Sequence, residues 1–400
     1  MDYDQLQLYE IVEEQFNILD ATYGEGTDKT PYIAKFTGQL KNQDSEKAFA
    51  AIEERIKPMN LIPLFRAEEE QQIVFLITDP QKHKETKTST NLILFILTVF
   101  SVLFTGGIYG MDTALPQNTW QAILTILKNG WPFAVSLLAI LGAHEFGHYF
   151  AGKKHGVDVS LPYFIPFPFN SFGTMGAFIN MRSLPKNKKQ LFDIAIAGPL
   201  SGLIVSIVVL LIGLNLSTVE PLPTNLPAGT GFQMEGNSIL YLLLKYISFG
   251  KFLPEPVGKS GLALFIHWAQ YFFTGNPIPW GGLDVMLHPV AWAGWAGLFV
   301  TMLNLIPVGQ LDGGHILQSV FGTKTSRRVL PFIIAALVLL GFFWSTWWFW
   351  AVLALFMGRA YAEPLDQITQ LDKKRKTMGI VMLVIFLLIF IPVPLTIIYG

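Results

Sequence analysis

The spacing of apolar and polar positions changes character near residue 88. Before it, apolar residues recur singly. Leu8, Val12, Phe16 and Leu19 follow a helical period, and Tyr32 to Phe36 alternates weakly, as a strand does. Phe49, Ile52 and Ile56 predict a second helix. Asp44 or Ser45 can cap it and Pro58 stops it. Leu61 to Phe65 and Ile73 to Ile77 read as two further strands. Residues 1–88 are therefore expected to form a small α+β domain. It carries no clustered ligands and no phosphate loop, so its role stays open.

After a charged linker, residues 80–91, the apolar positions run together. Leu92 to Tyr109 is long enough to cross a bilayer. Residues 117–130, with Trp120, Ile123, Leu124 and Leu127, predict an amphipathic helix lying at the far interface, so that 89–130 comprises a first span and an interfacial helix. Trp131 to Lys153 and Gln190 to Leu216 are the second and third spans. His288 to Ile306 is a fourth, broken at Pro307. Val329 to Phe343 and Trp347 to Met357 are two shorter ones, and Met378 to Tyr399 is the last. The Trp344 to Trp350 cluster reads as an aromatic belt. Between spans two and three, the Gly-flanked segment 173–181 predicts a strand or hairpin, which is tolerated at membrane depth only against protein or water. Residues 217–287 form an insertion with two amphipathic stretches, 238–249 and 261–273, expected as interfacial helices. The pattern thus predicts a mainly α, polytopic membrane protein of about six to seven transmembrane helices. It adds a membrane-associated β-hairpin or strand and the small N-terminal domain. Its core segments are 131–216 and 288–320, and residues 321–400 supply C-terminal spans.

Composition narrows the function. The chain is 51% hydrophobic and 14% charged, with mean hydropathy +0.42, as expected for a protein embedded in a lipid bilayer. A net charge of −1 gives nucleic-acid binding no support. With no cysteine, a metal must be held by His, Asp or Glu. The polar start, Met1-Asp-Tyr-Asp-Gln, is no signal peptide, so the first span is expected to act as insertion signal. Basic residues concentrate on one side of the predicted spans: Lys82, Lys84 and Lys87; Lys153 to Lys189; Arg327, Arg328, Arg359 and Lys373 to Lys376. That side is expected to be cytoplasmic and to carry the N-terminal domain.

The chemistry concentrates in the second span, at His144-Glu-Phe-Gly-His148. Two histidines four residues apart share a helix face and can bind one zinc ion, with Glu145 beside it as a base. At about 1.5 Å per residue, His144 lies about 13 Å from the Lys153 end of the span. Ionisable groups there are functional by default. A catalytic zinc wants a third protein ligand and an open position. Asp312 is the best candidate, just past an apolar span and a Pro break, between glycines, although Asp-Gly is also a common turn pair.

Four segments together, H144-E-F-G-H148, G173-T-M-G-A-F, A197-G-P-L-S-G and N304-L-I-P-V-G-Q-L-D312-G-G-H, resemble the site-2 protease family of intramembrane zinc metalloproteases, in its cyanobacterial and chloroplast branch. The resemblance covers residues 131–216 and 288–320. It implies a core of three spans, Zn2+ held by His144, His148 and Asp312, Glu145 as catalytic base, and transmembrane proteins as substrates cut within the bilayer. Asn304 can stabilise an oxyanion or hold substrate backbone, or simply bond between helices. A substrate strand can pair with Gly173, Gly176, Ala177, Phe178 and Asn180. His155 and His315 are candidates to support the ligands. His267 reads as interfacial, His288 as too distant, and Asp193 as interfacial. No peptide-binding PDZ domain or nucleotide-sensing CBS pair is evident, which leaves substrate gating to the insertion and the N-terminal domain. The readings to be weighed against this one are a membrane zinc peptidase with a Glu ligand, and a zinc transporter or inactive scaffold. The sequence leaves the oligomeric state open, and the membrane can be a plasma or thylakoid-like one.

Overall fold

A computed structural model of the chain describes residues 3–26, 30–68, 71–79, 88–109, 115–226 and 231–399; the linker residues 80–87, with Lys82, Lys84 and Lys87, lie outside these. The N-terminal unit runs α1 (Gln5–Glu13), β1 (Phe16–Tyr23), β2 (Ala34–Leu40), α2 (Ser45–Ile56), β3 (Leu61–Glu68) and β4 (Gln71–Thr78). Its four strands form an antiparallel sheet in the order β1-β2-β4-β3. Asp44 caps α2, accepting from the Lys47 N–H. The helical spacing of Leu8 to Leu19 does not hold to its end. The helix stops at Glu13, and Phe16 and Leu19 belong to a strand that pairs with β2. Phe16 is fully buried whereas Leu19 is 73% exposed, so sheet pairing and burial override a coincidental period.

Among the described residues, three helices are long and apolar enough to cross a membrane: α3 (Thr88–Tyr109), α4 (Thr119–Lys154) and α5 (Lys188–Asn215). The expected interfacial helix at 117–130 is not separate. It is the first third of α4, which runs 36 residues, about 54 Å, straight through Pro132. The reason is packing against α3. A Cβ at Gly130 would lie 2.1 Å from the Leu103 carbonyl, and one at Gly107 would lie 2.2 Å from that of Ile126. This close crossing holds the helix in line where the missing proline N–H would let it break. After α4 comes the hairpin β5 (Tyr163–Pro166) and β6 (Thr174–Phe178), paired with Tyr163 opposite Phe178.

The insertion following α5 contains β7 (Thr218–Pro221), β8 (Gly231–Glu235), α6 (Ile239–Phe249), α7 (Gly261–Thr274) and β9 (Leu283–Met286). The two helices match expectation; the strands were not legible. A fully buried Lys245 on α6 sits 3.3 Å from Glu235 and 3.5 Å from Asp284, tying α6 to β8 and β9. Next come α8 (Pro289–Asn304), α9 (Asp312–Phe321), α10 (Thr323–Leu340), α11 (Thr346–Met357) and α12 (Lys373–Ile389). The last expected span, Met378 to Tyr399, is cut short. Pro392 and Pro394 cannot continue a helix, and β10 (Leu395–Tyr399) pairs with β8. Nor is the tryptophan cluster purely a belt: Trp347 is fully buried and its Nε1 donates to the Pro392 carbonyl at 2.6 Å.

The N-terminal unit is fastened to the helical core through segment 363–370. Phe65 of β3 exchanges backbone bonds with Leu365 and Gln367, while Leu365 and Asp366 donate to the Pro185 and Lys186 carbonyls just before α5. Side chains reinforce the joint: Lys186 pairs with Glu53, and Lys189 with Glu46 at 2.7 Å.

Candidate active site

His144, Glu145 and His148 lie on the buried face of α4. Helix geometry puts the two imidazoles one turn apart, and their Nε2 atoms are 3.2 Å from each other. Asp312, the first residue of α9, brings its Oδ2 to 3.4 Å from His144 Nε2 and 3.3 Å from His148 Nε2. Zinc bonded at about 2.0–2.1 Å in a tetrahedral site separates its ligands by about 3.3–3.4 Å. The three ligand atoms therefore stand at the mutual separations that three corners of a zinc tetrahedron require. Among the described residues, this is the group of His, Asp and Glu side chains arranged to hold a metal ion.

The surrounding backbone shapes this group. His148 Nδ1 lies 2.7 Å from the Ile194 carbonyl of α5, so it carries the proton and frees Nε2 for a metal. Glycines of α5 make room for the rings. A Cβ at Gly198 would lie 2.0 Å from His148 Nε2, and one at Gly202 would lie 3.1 Å from His144 Nδ1. The small residues of A197-G-P-L-S-G thus make room for the two imidazoles as well as for helix packing. Behind Asp312, the glycines are less hinges than close contacts. Gly313 is pressed on the Leu305 carbonyl and Gly314 on that of Gly309. The turn itself is made at Gly309, with φ +51°.

Residues 132–345, more than half the chain, match the family described as Peptidase family M50. The chain belongs to peptidase family M50. Curated relatives of this M50 chain carry consistent names. A probable zinc metalloprotease EGY2, chloroplastic, of Arabidopsis thaliana is 30% identical over 273 residues, 68% of this chain and 43% of the relative. Its namesake in Oryza sativa subsp. japonica is 28% identical over 380 residues, 92% of this chain and 63% of the relative. A probable zinc metalloprotease EGY1, chloroplastic, of the same rice is 34% identical over 247 residues, 58% of this chain and 38% of the relative. The chain spans less than two thirds of the length of each of these relatives.

Around His144, His148 and Asp312 of this M50 chain lies a cavity walled by α4, α5, β6 and the 310–315 segment. Glu145 is buried in it, 5% exposed, with the Ile179 backbone facing its carboxyl group. Asn304, at the end of α8, reaches in with Nδ2 3.3 Å from His144 Nε2. Of the expected substrate strand, Ala177 and Phe178 line the cavity. Gly173, Gly176 and Asn180 do not. Gly173 packs on α3, where Ser101 Oγ donates to its carbonyl at 2.6 Å. Gly176, at φ +98°, faces open space, and Asn180 is exposed with its backbone bonded to Ser160.

His315, named from the sequence as a candidate to support the ligands, is a cavity residue. It is buried, one turn beyond Asp312, and its Nδ1 has no hydrogen-bond partner. The i, i+3 spacing from Asp312 was the signal available. His155 belongs elsewhere. Its Nε2 is 3.0 Å from Asp193, which Arg375 of α12 grips with two hydrogen bonds of 2.7 Å. Asp193 is thus a clasp between α4, α5 and α12. His288 caps α8, and His267 sits beside Lys259 at 2.8 Å.

Proposed function

We propose that this M50 chain is an intramembrane zinc metalloprotease that cuts transmembrane segments of other membrane proteins, as a step in regulated intramembrane proteolysis. One observation carries the reading. Three ligand atoms stand 3.2–3.4 Å apart, next to a buried glutamate, on helices apolar enough to cross a bilayer. His144, His148 and Asp312 would hold the zinc, which supplies Lewis acidity to a water and to the scissile carbonyl. Glu145, one residue from His144, takes the proton that the attacking water gives up and passes it to the leaving amine. Asn304 directs its amide toward the same space, where an N–H can meet the developing oxyanion or the substrate backbone.

A carbonyl inside a helix is already hydrogen-bonded and shielded, so the substrate must be extended where it is cut. The edge of β6 not taken by β5, at Ala177 and Phe178, offers a strand to pair with. Six or seven helices would span, with the N-terminal unit and the Asp312 end on the cytoplasmic side of a plasma or thylakoid-like membrane. Lys186, Lys188 and Lys189 support that side, and the N-terminal unit shares it because it is bonded to residues 185–189 directly and through segment 363–370. A peptidase with a glutamate as third ligand is less well supported, because Asp312 occupies that corner.

Glu145→Gln tests the proposal. In the full chain reconstituted with a transmembrane reporter, zinc content stays near one per chain while cleavage falls about 10²–10⁴-fold. Unchanged cleavage with zinc retained would refute the assignment. Reporters trapped by the same variant would identify what the protease takes.

A further inference from the structure

A second cavity lies where the N-terminal unit meets the core. It is walled by Gln72 of β4, Lys188 and Leu191 of α5, Gln318 and Ser319 of α9, and Thr323 at the head of α10. Two of these side chains are each only 8% exposed, yet Gln318 Oε1 and Ser319 Oγ have no hydrogen-bond partner. Buried polar atoms are rarely left so. Thr323 Oγ1 accepts from Gln318 Nε2 at 3.2 Å, which leaves its own hydroxyl hydrogen to donate.

The charge of the cavity is positive. Lys188 is the charged residue in its wall and makes no ion pair among the described residues. The acid whose field it feels, Asp366, is already saturated. One carboxylate oxygen accepts from the Ile368 and Thr369 N–H groups, and the other from Ser45 and Thr369 hydroxyls. Two long helices begin at the cavity, α5 at Lys188 and α10 at Thr323. The second has Gly322 at its cap and no side chain on its first amides.

We propose that this cavity binds a phosphate group that keeps one hydroxyl, as hydrogen phosphate or as the singly protonated phosphate of a small soluble metabolite. Hydrogen phosphate presents acceptor oxygens to Lys188, Ser319, Thr323 and the helix amides, and one hydroxyl to Gln318 Oε1. Sulfate lacks that hydroxyl and leaves Gln318 unpaired. The cavity opens beside Ala67 of β3 and Gln370 of the segment before α12, both exposed, so the ligand comes from water. Its consequence rests on the metal-site reading above, although its binding does not. Leu191 walls both cavities, and α9 carries Asp312 at one end and Gln318 and Ser319 near the other. An occupant therefore braces the helix that holds the third ligand and fastens the N-terminal unit over it.

The test uses the full chain in phosphatidylcholine nanodiscs, titrated with radiolabelled inorganic phosphate at constant ionic strength. Saturable binding of about one phosphate per chain is expected, with sulfate competing at least about tenfold less well. Lys188→Gln should weaken binding about tenfold or more, and Ser319→Ala severalfold. Phosphate should also slow amide exchange in 312–326 and 364–370, independently of any protease assay. Ser319→Ala, which removes one hydroxyl, decides the matter if Lys188→Gln does not fold. No saturable binding, or equal binding by sulfate and by both variants (an adventitious ion only), overturns the proposal. So does loss of phosphate uptake when phosphatidylglycerol is included, which would assign the cavity to a lipid headgroup.

Discussion

Alanine at position 198 would put a methyl carbon 2.0 Å from the His148 ring nitrogen that faces Asp312. The imidazole cannot yield without leaving its bond to the Ile194 carbonyl. Gly198→Ala is therefore expected to lower zinc content well below one per chain while α4 and α5 stay folded, measured by metal analysis alongside circular dichroism. Gly142→Ala is the matched control: its Cβ would meet nothing within 4 Å, and alanine stabilises a helix by about 0.5–1 kcal/mol. At this scale HEFGH was legible because helix geometry alone fixes which side chains share a face. Asp312 was legible because acids are scarce in apolar surroundings. Gly198 and Gly202 read only as packing residues, since their service to the imidazoles depends on a helix 50 positions away in sequence. His315 was a candidate by position alone: its burial in the cavity follows from where α9 docks.

Helices α5 and α8 meet along glycines. A Cβ at Gly213 would lie 2.1 Å from the Ala291 nitrogen, and one at Gly294 would lie 2.7 Å from the Leu210 backbone. Gly213→Ala is expected to cost roughly 1–3 kcal/mol through overpacking. Because α8 leads into Asn304 and on to Asp312, the same change should weaken zinc retention. A lower thermal midpoint with faster metal loss to a chelator would show both effects; a change in midpoint alone would mean the crossing is decoupled from the site. Long apolar runs made the spans readable. Their ends were not, because neighbours decide them: α3 carries α4 through Pro132, and β8 captures the chain after Pro394 as β10. The insertion strands were hidden for a similar reason. Their four or five residues pair with partners about 65 to 165 positions away, and local pattern holds no trace of that pairing.

The whole molecule is held together by a short segment that looks like a loop in the sequence. Asp366 is 1% exposed and accepts from Ser45 and Thr369 hydroxyls and two backbone amides. Asp366→Ala strands those donors, at roughly 1–3 kcal/mol, and is expected to speed protease nicking and amide exchange in residues 3–79 without altering zinc content. Retained protection there would mean that the backbone bonds of 363–370 suffice alone. Assembly order adds a consequence of its own. His148 and Asp312 are 164 positions apart in the chain, and a ribosome adding about 5–20 residues per second takes on the order of ten to thirty seconds between them. During that interval α4 carries its two histidines and its glutamate without Asp312. On the proposed function, the chain is mute while it is being made, and would gain its cutting edge only when α9 closes the triangle.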